Sequence, residues 1–106
     1  MPDPPDRSAE ERRAALERAA EARRVRADLK RRLAEGELDL GGLLAEAEED
    51  EIVAGTKVLA VLESLPGLGK VKARRTMEQV GIAESRRLRG LGSAQREALL
   101  GALAGG

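Results

Sequence analysis

The chain of 106 residues contains no cysteine, histidine, phenylalanine, tryptophan or tyrosine. Without cysteine there are no disulfides and no thiolate nucleophile; without histidine there is no imidazole acid–base chemistry, and the usual zinc ligands are missing altogether. The lack of aromatic rings removes the platforms on which nucleic-acid bases stack. Few enzyme mechanisms survive these absences, and neither a cofactor nor a metal site is expected. Proline is confined to Pro2, Pro4, Pro5 and Pro66, so most of the chain is free of helix breakers. The hydrophobic 42% is almost entirely Ala, Leu and Val, which suits thin, closely packed helices. A chain of this length has room for one core, and an all-α domain is the expected class.

Length and leader sequence bound the setting. Met1 to Asp6 carries neither a basic leader nor an apolar stretch of signal-peptide length, and no run approaches the roughly 18 apolar residues of a membrane span. The expectation is a soluble cytoplasmic protein with no membrane partner. Three prolines among the first five residues predict a flexible tail over residues 1–7.

Charge is balanced overall, with 19 basic and 19 acidic residues, but it is segregated along the chain. Residues 1–53 carry 10 basic and 15 acidic side chains, and residues 54–106 carry 9 and 4. Within the first half, residues 7–32 hold 10 basic against 5 acidic, whereas residues 35–51 hold 8 acidic and none basic. Two basic blocks therefore flank an acidic one, and a polyanion would be attracted at two places and repelled between them.

Ser8, followed by Glu10 and Glu11, has the form of a helix start. From Ala9 to Glu35 there is no Pro or Gly, and Ala22, Val25, Leu29 and Leu33 recur at spacings of three and four. This predicts a basic helix over residues 8–36, about 40 Å long and stopped by Gly36, whose first half overhangs any domain of this size. The overhang carries Arg12, Arg13, Arg18, Arg23, Arg24 and Arg26, which is either a solvated face laced by i to i+4 charge pairs or a surface for a polyanion. Asp39 is placed to cap a short helix containing Leu43, Leu44 and Ala47. The acidic run Glu48 to Glu51 lacks the alternating oxygens and central glycine of a calcium loop, so it reads as a solvated acidic turn. A third helix is predicted to open at Gly55 or Thr56, with Val58, Val61, Leu62 and Leu65 on one face up to Pro66. A fourth spans about Lys70 to Val80 with Ala73, Met77 and Val80 on one side, and Gly81 ends it. Residues 84–92 form a turn-rich connection, and Ser93 caps a last helix whose Leu99, Leu100 and Leu103 are expected to face inward.

The segment with chemical content is Leu65-Pro66-Gly67-Leu68-Gly69-Lys70-Val71-Lys72. Glycines at 67 and 69 permit a tight hairpin whose amides turn outward, and the next helix aims its own unpaired amides and positive dipole end at the same point. Lys70, Lys72, Arg74 and Arg75 follow within six residues, and no acid occurs between Gly67 and Met77. A tight helix-to-helix turn needs glycines in any protein; four cations immediately after them do not follow from that need, and phosphate is the ligand they fit. A Walker loop is excluded because GxxxxGK[ST] is absent, and a Rossmann turn because no strand precedes the glycines.

The stretch from Leu62 to Leu99, with LPGLGKVKA, the pair Gly81-Ile82 and the later RRLRGLG, resembles the helix-two-turns-helix (H2TH) fold shared by a small-subunit ribosomal protein, S13, and DNA-repair glycosylases of the formamidopyrimidine type. From the Arg/Ala-rich first helix through RRLRGLG to QREALL, about residues 8–104, the chain is similar to the actinobacterial-type integration host factors. The resemblance implies a long N-terminal helix plus an S13-like H2TH domain over residues 37–104. It also implies a nucleoid protein that binds double-stranded DNA with little sequence preference, bends it and compacts it. The glycine hairpin would lie on the DNA backbone, which maps onto Pro66, Gly67, Gly69, Lys70, Lys72 and Arg74; the arginine motif maps onto Arg86, Arg87 and Arg89. A second DNA surface on the first helix is implied without assignable residues. The residues themselves limit the mechanism: there is no Asn and little Gln, so the bidentate adenine readers are scarce, and shape and deformability are expected to outweigh base-edge readout.

Three other readings compete. An RNA-binding or ribosome-associated accessory would use the same hairpin. A DNA-acting enzyme would need a catalytic lobe and a base-flipping pocket for which this chain has no room. A helical adaptor accounts for the first helix but not for cations gathered on a glycine hairpin. The acidic segment is a candidate dock for a protein of the transcription or DNA-topology machinery, and the protein is expected to be monomeric in solution.

Overall fold

A computed structural model describes the backbone of residues 5–104 and the side chains of residues 8–103. The helices are α1 (Pro5–Ala34), α2 (Leu40–Glu49), α3 (Glu51–Ala54), α4 (Val58–Ser64), α5 (Gly69–Val80) and α6 (Ser93–Ala104), with a 3-10 turn at Leu88–Gly90 between the last two. Among the described residues the one extended pairing is an isolated antiparallel bridge between Lys57 and Arg87. The all-α class with a long first helix is therefore observed. No helix among the described residues is long and apolar enough to cross a membrane.

The first helix begins earlier than Ser8 predicted. It starts at Pro5, so residues 5–7, assigned to the tail, form its first turn; residues 1–4 of the expected tail lie outside the described residues. Proline is tolerated there because its φ is preset for a helix and an N–H in the first turn has no intrahelical acceptor anyway. At 30 residues α1 is about 45 Å long, and the molecule measures 60 × 27 × 26 Å. Only its C-terminal half is anchored: Leu29 and Leu33 are buried, Val25 packs beside them, and the helix rests on α3 and α4. Upstream the same helix is largely exposed, and Leu16 stands 66% accessible. At the other end Gly36 adopts φ +77°, and the Glu37 N–H donates back to the Arg32 carbonyl at 2.9 Å, which terminates the helix as the sequence predicts.

The acidic block divides differently from the expected turn. Asp39 caps α2 through the Gly42 N–H (2.8 Å), and Asp50 ends α2 while its carboxylate accepts from the Ile52 and Val53 amides at the start of α3. One short polar side chain thus makes a joint between two helices, and α3 was not predicted as an element of its own because four residues carry no readable period. Among the described residues no group of acidic side chains is placed to hold a metal ion.

Without aromatics, the core is built from Leu33, Leu43, Val58, Val61, Leu62, Met77, Leu88 and Leu99, all inaccessible or nearly so. The buried hydroxyls of Thr56 and Thr76 are satisfied locally, donating to the carbonyls of Ile52 (3.1 Å) and Lys72 (2.8 Å). Helix α5 packs on α4 and α6, whereas the 3-10 turn packs on α2 and α3. In the last helix Leu99 is buried and Leu103 partly so, but Leu100 is 37% exposed, contrary to the inward prediction. Residues 99 and 103 lie about 40° apart around a helix while 100 is rotated by about 100°, so the three cannot share one narrow face. Two ion pairs tie the periphery together, Arg32 with Glu46 (3.0 Å, α1 to α2) and Arg96 with Glu48 (3.3 Å, α6 to α2).

Truncating Leu62 to Ala is expected to cost about 2–5 kcal/mol, since removing a fully buried side chain leaves a cavity in the core. Asp50→Ala is expected to cost about 1 kcal/mol by uncapping α3. Urea denaturation followed by circular dichroism measures both.

Candidate nucleic-acid interface

The turn between α4 and α5 is built by backbone geometry. Ser64 ends α4 with its hydroxyl donating to the Ala60 carbonyl (2.8 Å), and the Leu65 N–H folds back on the Leu62 carbonyl (3.2 Å). Pro66 then cannot continue the helix. Gly67 and Gly69 take φ +78° and +71°, a left-handed conformation that a Cβ would strain even though open space surrounds both positions. Leu68, between them, turns inward and packs against the core. The hairpin is thereby anchored by its apolar residue while Pro66, Gly67, Gly69, Lys70 and Lys72 remain exposed.

The start of α5 is bare. Its N-cap, Leu68, offers no side-chain acceptor, and the amides of Gly69, Lys70 and Val71 find no acceptor among the described residues. This contrasts with α2 and α3, whose first amides are taken by Asp39 and Asp50. Unpaired amides, the positive dipole end, and Lys70 and Lys72 with no acidic partner among the described residues form a site suited to an anion. Arg74, one turn on, is exposed but paired with Glu84 at 3.1 Å.

The second cluster is organised by the bridge between residues 57 and 87. The Val58 N–H donates to the Arg86 carbonyl and the Leu88 N–H to the Thr56 carbonyl, both at 3.0 Å, so Lys57 and Arg87 are a non-hydrogen-bonded antiparallel pair with side chains on the same face. Like charges placed opposite each other are destabilising unless something negative joins them. Arg87 is half-buried and donates to the Gly55 carbonyl, pinning the loop before α4. Arg86 lies over Gly90 and donates to its carbonyl at 2.8 Å; a side-chain carbon at Gly90 would stand 2.8 Å from the Arg86 Cδ. Arg89 is exposed with its guanidinium above Gly55. Lys57 joins this group unforeseen, because only the tertiary pairing sets it beside the arginine motif; its position immediately before an apolar helical stripe was the available signal.

The nine residues singled out in the sequence thus fall into two sets. Pro66, Gly67, Gly69, Lys70, Lys72 and Arg74 gather at the C-terminal end of α4 and the start of α5, and Arg86, Arg87 and Arg89 gather with Lys57 at the N-terminal end of α4. α4, seven residues and about 10 Å long, separates them. Near the end of α1 two basic side chains are neutralised: Arg31 bonds Asp28 (3.0 Å) and Glu35 (2.7 Å), and Arg32 bonds Glu46. The Asp28 hydrogen bond, then the Glu35 charge, raise the Arg31 pKa above its ordinary value, and the Glu46 hydrogen bond does so for Arg32.

A helical hairpin with two left-handed glycines, followed by an uncapped cationic helix, defines an H2TH protein, and the family model for the S13-like H2TH domain matches residues 33–103. Relatives named integration host factor, from Mycolicibacterium smegmatis and Mycobacterium tuberculosis, are each 54% identical over 96 residues, covering 91% of this chain and 91% of theirs; one from Streptomyces coelicolor is 50% identical over 91 residues, covering 86% and 85%. The chain belongs to the integration host factor family of actinobacteria. A solved structure described as sIHF bound to an 8-bp palindromic DNA superposes with a TM-score of 0.78 at 48% identity, covering 81% of this chain and 97% of that one.

The two arginine roles separate by experiment. Arg87→Ala is expected to lower stability by about 1–3 kcal/mol, because a charged donor to the Gly55 carbonyl is lost, whereas Arg89→Ala stays within about 0.5 kcal/mol of the parent in urea titrations.

Proposed function

We propose that the protein is a DNA-binding architectural protein that grips duplex phosphates at the two ends of α4, with low sequence preference, and bends the duplex between them. The observation that carries this is the bare, cation-flanked start of α5 behind the Gly67/Gly69 hairpin. Support comes from the integration host factor relatives and from the DNA-bound state of the sIHF neighbour. Lys70 and Lys72, with the hairpin amides, hold one phosphate; Lys57, Arg86 and Arg89 meet the backbone or groove at the second point, where Arg87 holds the loop in place. The helix between them is about 10 Å long, on the scale of a DNA groove width, so both are placed for engagement by one duplex. A bend of 40–90° costs of order 1–6 kcal/mol and is offset only if it brings a further basic surface into contact. The unanchored half of α1, with the exposed Arg12, Arg13 and Arg18, is the surface proposed for that contact. Base-edge readout is minor because the chain lacks Asn and stacking aromatics. The binding role needs no catalytic group, and a nucleoid location accompanies it.

Neutralising four to eight phosphates gives a log–log salt slope of about −4 to −7, measured by fluorescence anisotropy. The double change Lys70→Glu and Lys72→Glu is expected to abolish the gel shift with helicity retained; binding that persists undiminished removes the hairpin from the interface. Duplex DNA is expected to outcompete duplex RNA of the same sequence, since the deep, narrow A-form groove presents a different surface; preference for RNA would install the ribosome-associated reading instead.

A further inference from the structure

Beside the hairpin lies an open cavity of about 720 Å³. Its lining is predominantly apolar and includes Leu40 from the start of α2, Leu65 from the hairpin, and Leu100 and Leu103 from α6. Lys72 from α5 and Asp39, the α2 cap, also line it. These two charges are not equivalent. One Asp39 carboxylate oxygen is already committed to the Gly42 amide as the α2 cap, whereas Lys72 has no acidic partner among the described residues. A volume within the range of small-molecule sites, an aliphatic floor and one available cation fit a ligand with an apolar body and one negative end. A neutral apolar ligand would desolvate the ammonium without pairing it, and a cationic one would face it directly. Leu100, 37% exposed on the side of α6 away from Leu99, gives the floor an open edge for such a ligand.

We propose that this cavity binds a small amphipathic carboxylate, its tail on Leu65, Leu100 and Leu103 and its head on Lys72, and that occupancy competes with DNA. The competition follows because Lys72, Pro66 and Gly67 line the cavity and also belong to the hairpin phosphate site. The cavity stands independently of the DNA reading; the competition rests on it.

The test titrates the isotope-labelled full chain with decanoate, below the concentration at which it forms micelles, and follows amide shifts by NMR. Decylammonium, with the same tail and the opposite charge, is run beside it. Saturable shifts at Lys72, Leu100 and Leu103 with decanoate, and none with decylammonium, are expected. Leu100→Gln is expected to weaken decanoate at least several-fold while leaving DNA affinity within two-fold, and Lys72→Gln to weaken both ligands. Saturating decanoate is expected to lower DNA affinity several-fold in the parent and not in Leu100→Gln. The proposal is overturned if no saturable shift occurs, if both amphiphiles act alike, or if decanoate binds without displacing DNA. Absence of DNA binding by the parent chain would instead remove the proposed function and the competition, leaving the cavity judged by the shifts alone.

Discussion

A helix N-terminus leaves several amides without intrahelical acceptors, and how a protein disposes of them decides what its helix ends can do. Here the disposal is uneven. Asp39 and Asp50 close α2 and α3, whereas α4 and α5 have no side-chain cap, and the amide that opens α4 is met by the Arg86 carbonyl alone. The capped ends lie in the acidic block and the uncapped ends in the basic one. Positive partial charge from the backbone and positive charge from Lys and Arg therefore coincide at the two ends of α4, which is unfavourable for the isolated fold and favourable for a complex with an anion.

That arrangement depends on a core able to hold a short helix still. With no aromatic side chains, α4 is fixed by numerous small contacts, with Val58, Val61 and Leu62 buried on one side and Leu65 and Leu68 seated beside them. The bridge to Arg87 locks its first residue, and the left-handed glycines lock the exit from its last. The proposed DNA contacts thus sit on a strut whose ends cannot drift apart, so the spacing between two phosphate contacts is set by the fold before the duplex arrives, without the entropy cost of ordering a loop. α1 contributes little to this frame beyond its last turns, and its projecting half is a surface added to the domain.

Much of this was legible from local pattern. The Ala/Leu/Arg run announced α1, Asp39 its role as a cap, and the alternation of glycine and cation the start of α5. The misreadings have separate causes. Pro5 and Ser8 misplaced the helix start because proline is compatible with a first turn; α3 was too short to show a period; Leu100 was counted with its leucine neighbours although it points elsewhere on the wheel. The arginine motif drew attention to Arg86, Arg87 and Arg89 as a set, but they are not alike: Arg87 anchors the Gly55 loop, Arg86 covers Gly90, and Arg89 is left exposed.

By itself the sequence determined the helical class, the hairpin and its glycines, and the separation of charge, because each follows from interactions between residues a few positions apart. Only the tertiary structure decided that Lys57 stands opposite Arg87, that the two cationic groups occupy opposite ends of one short helix, and that α2, α6 and the hairpin line an open cavity. Those arrangements join segments far apart in the chain, and their geometry is set by how the buried faces of all six helices pack together, which no local pattern encodes.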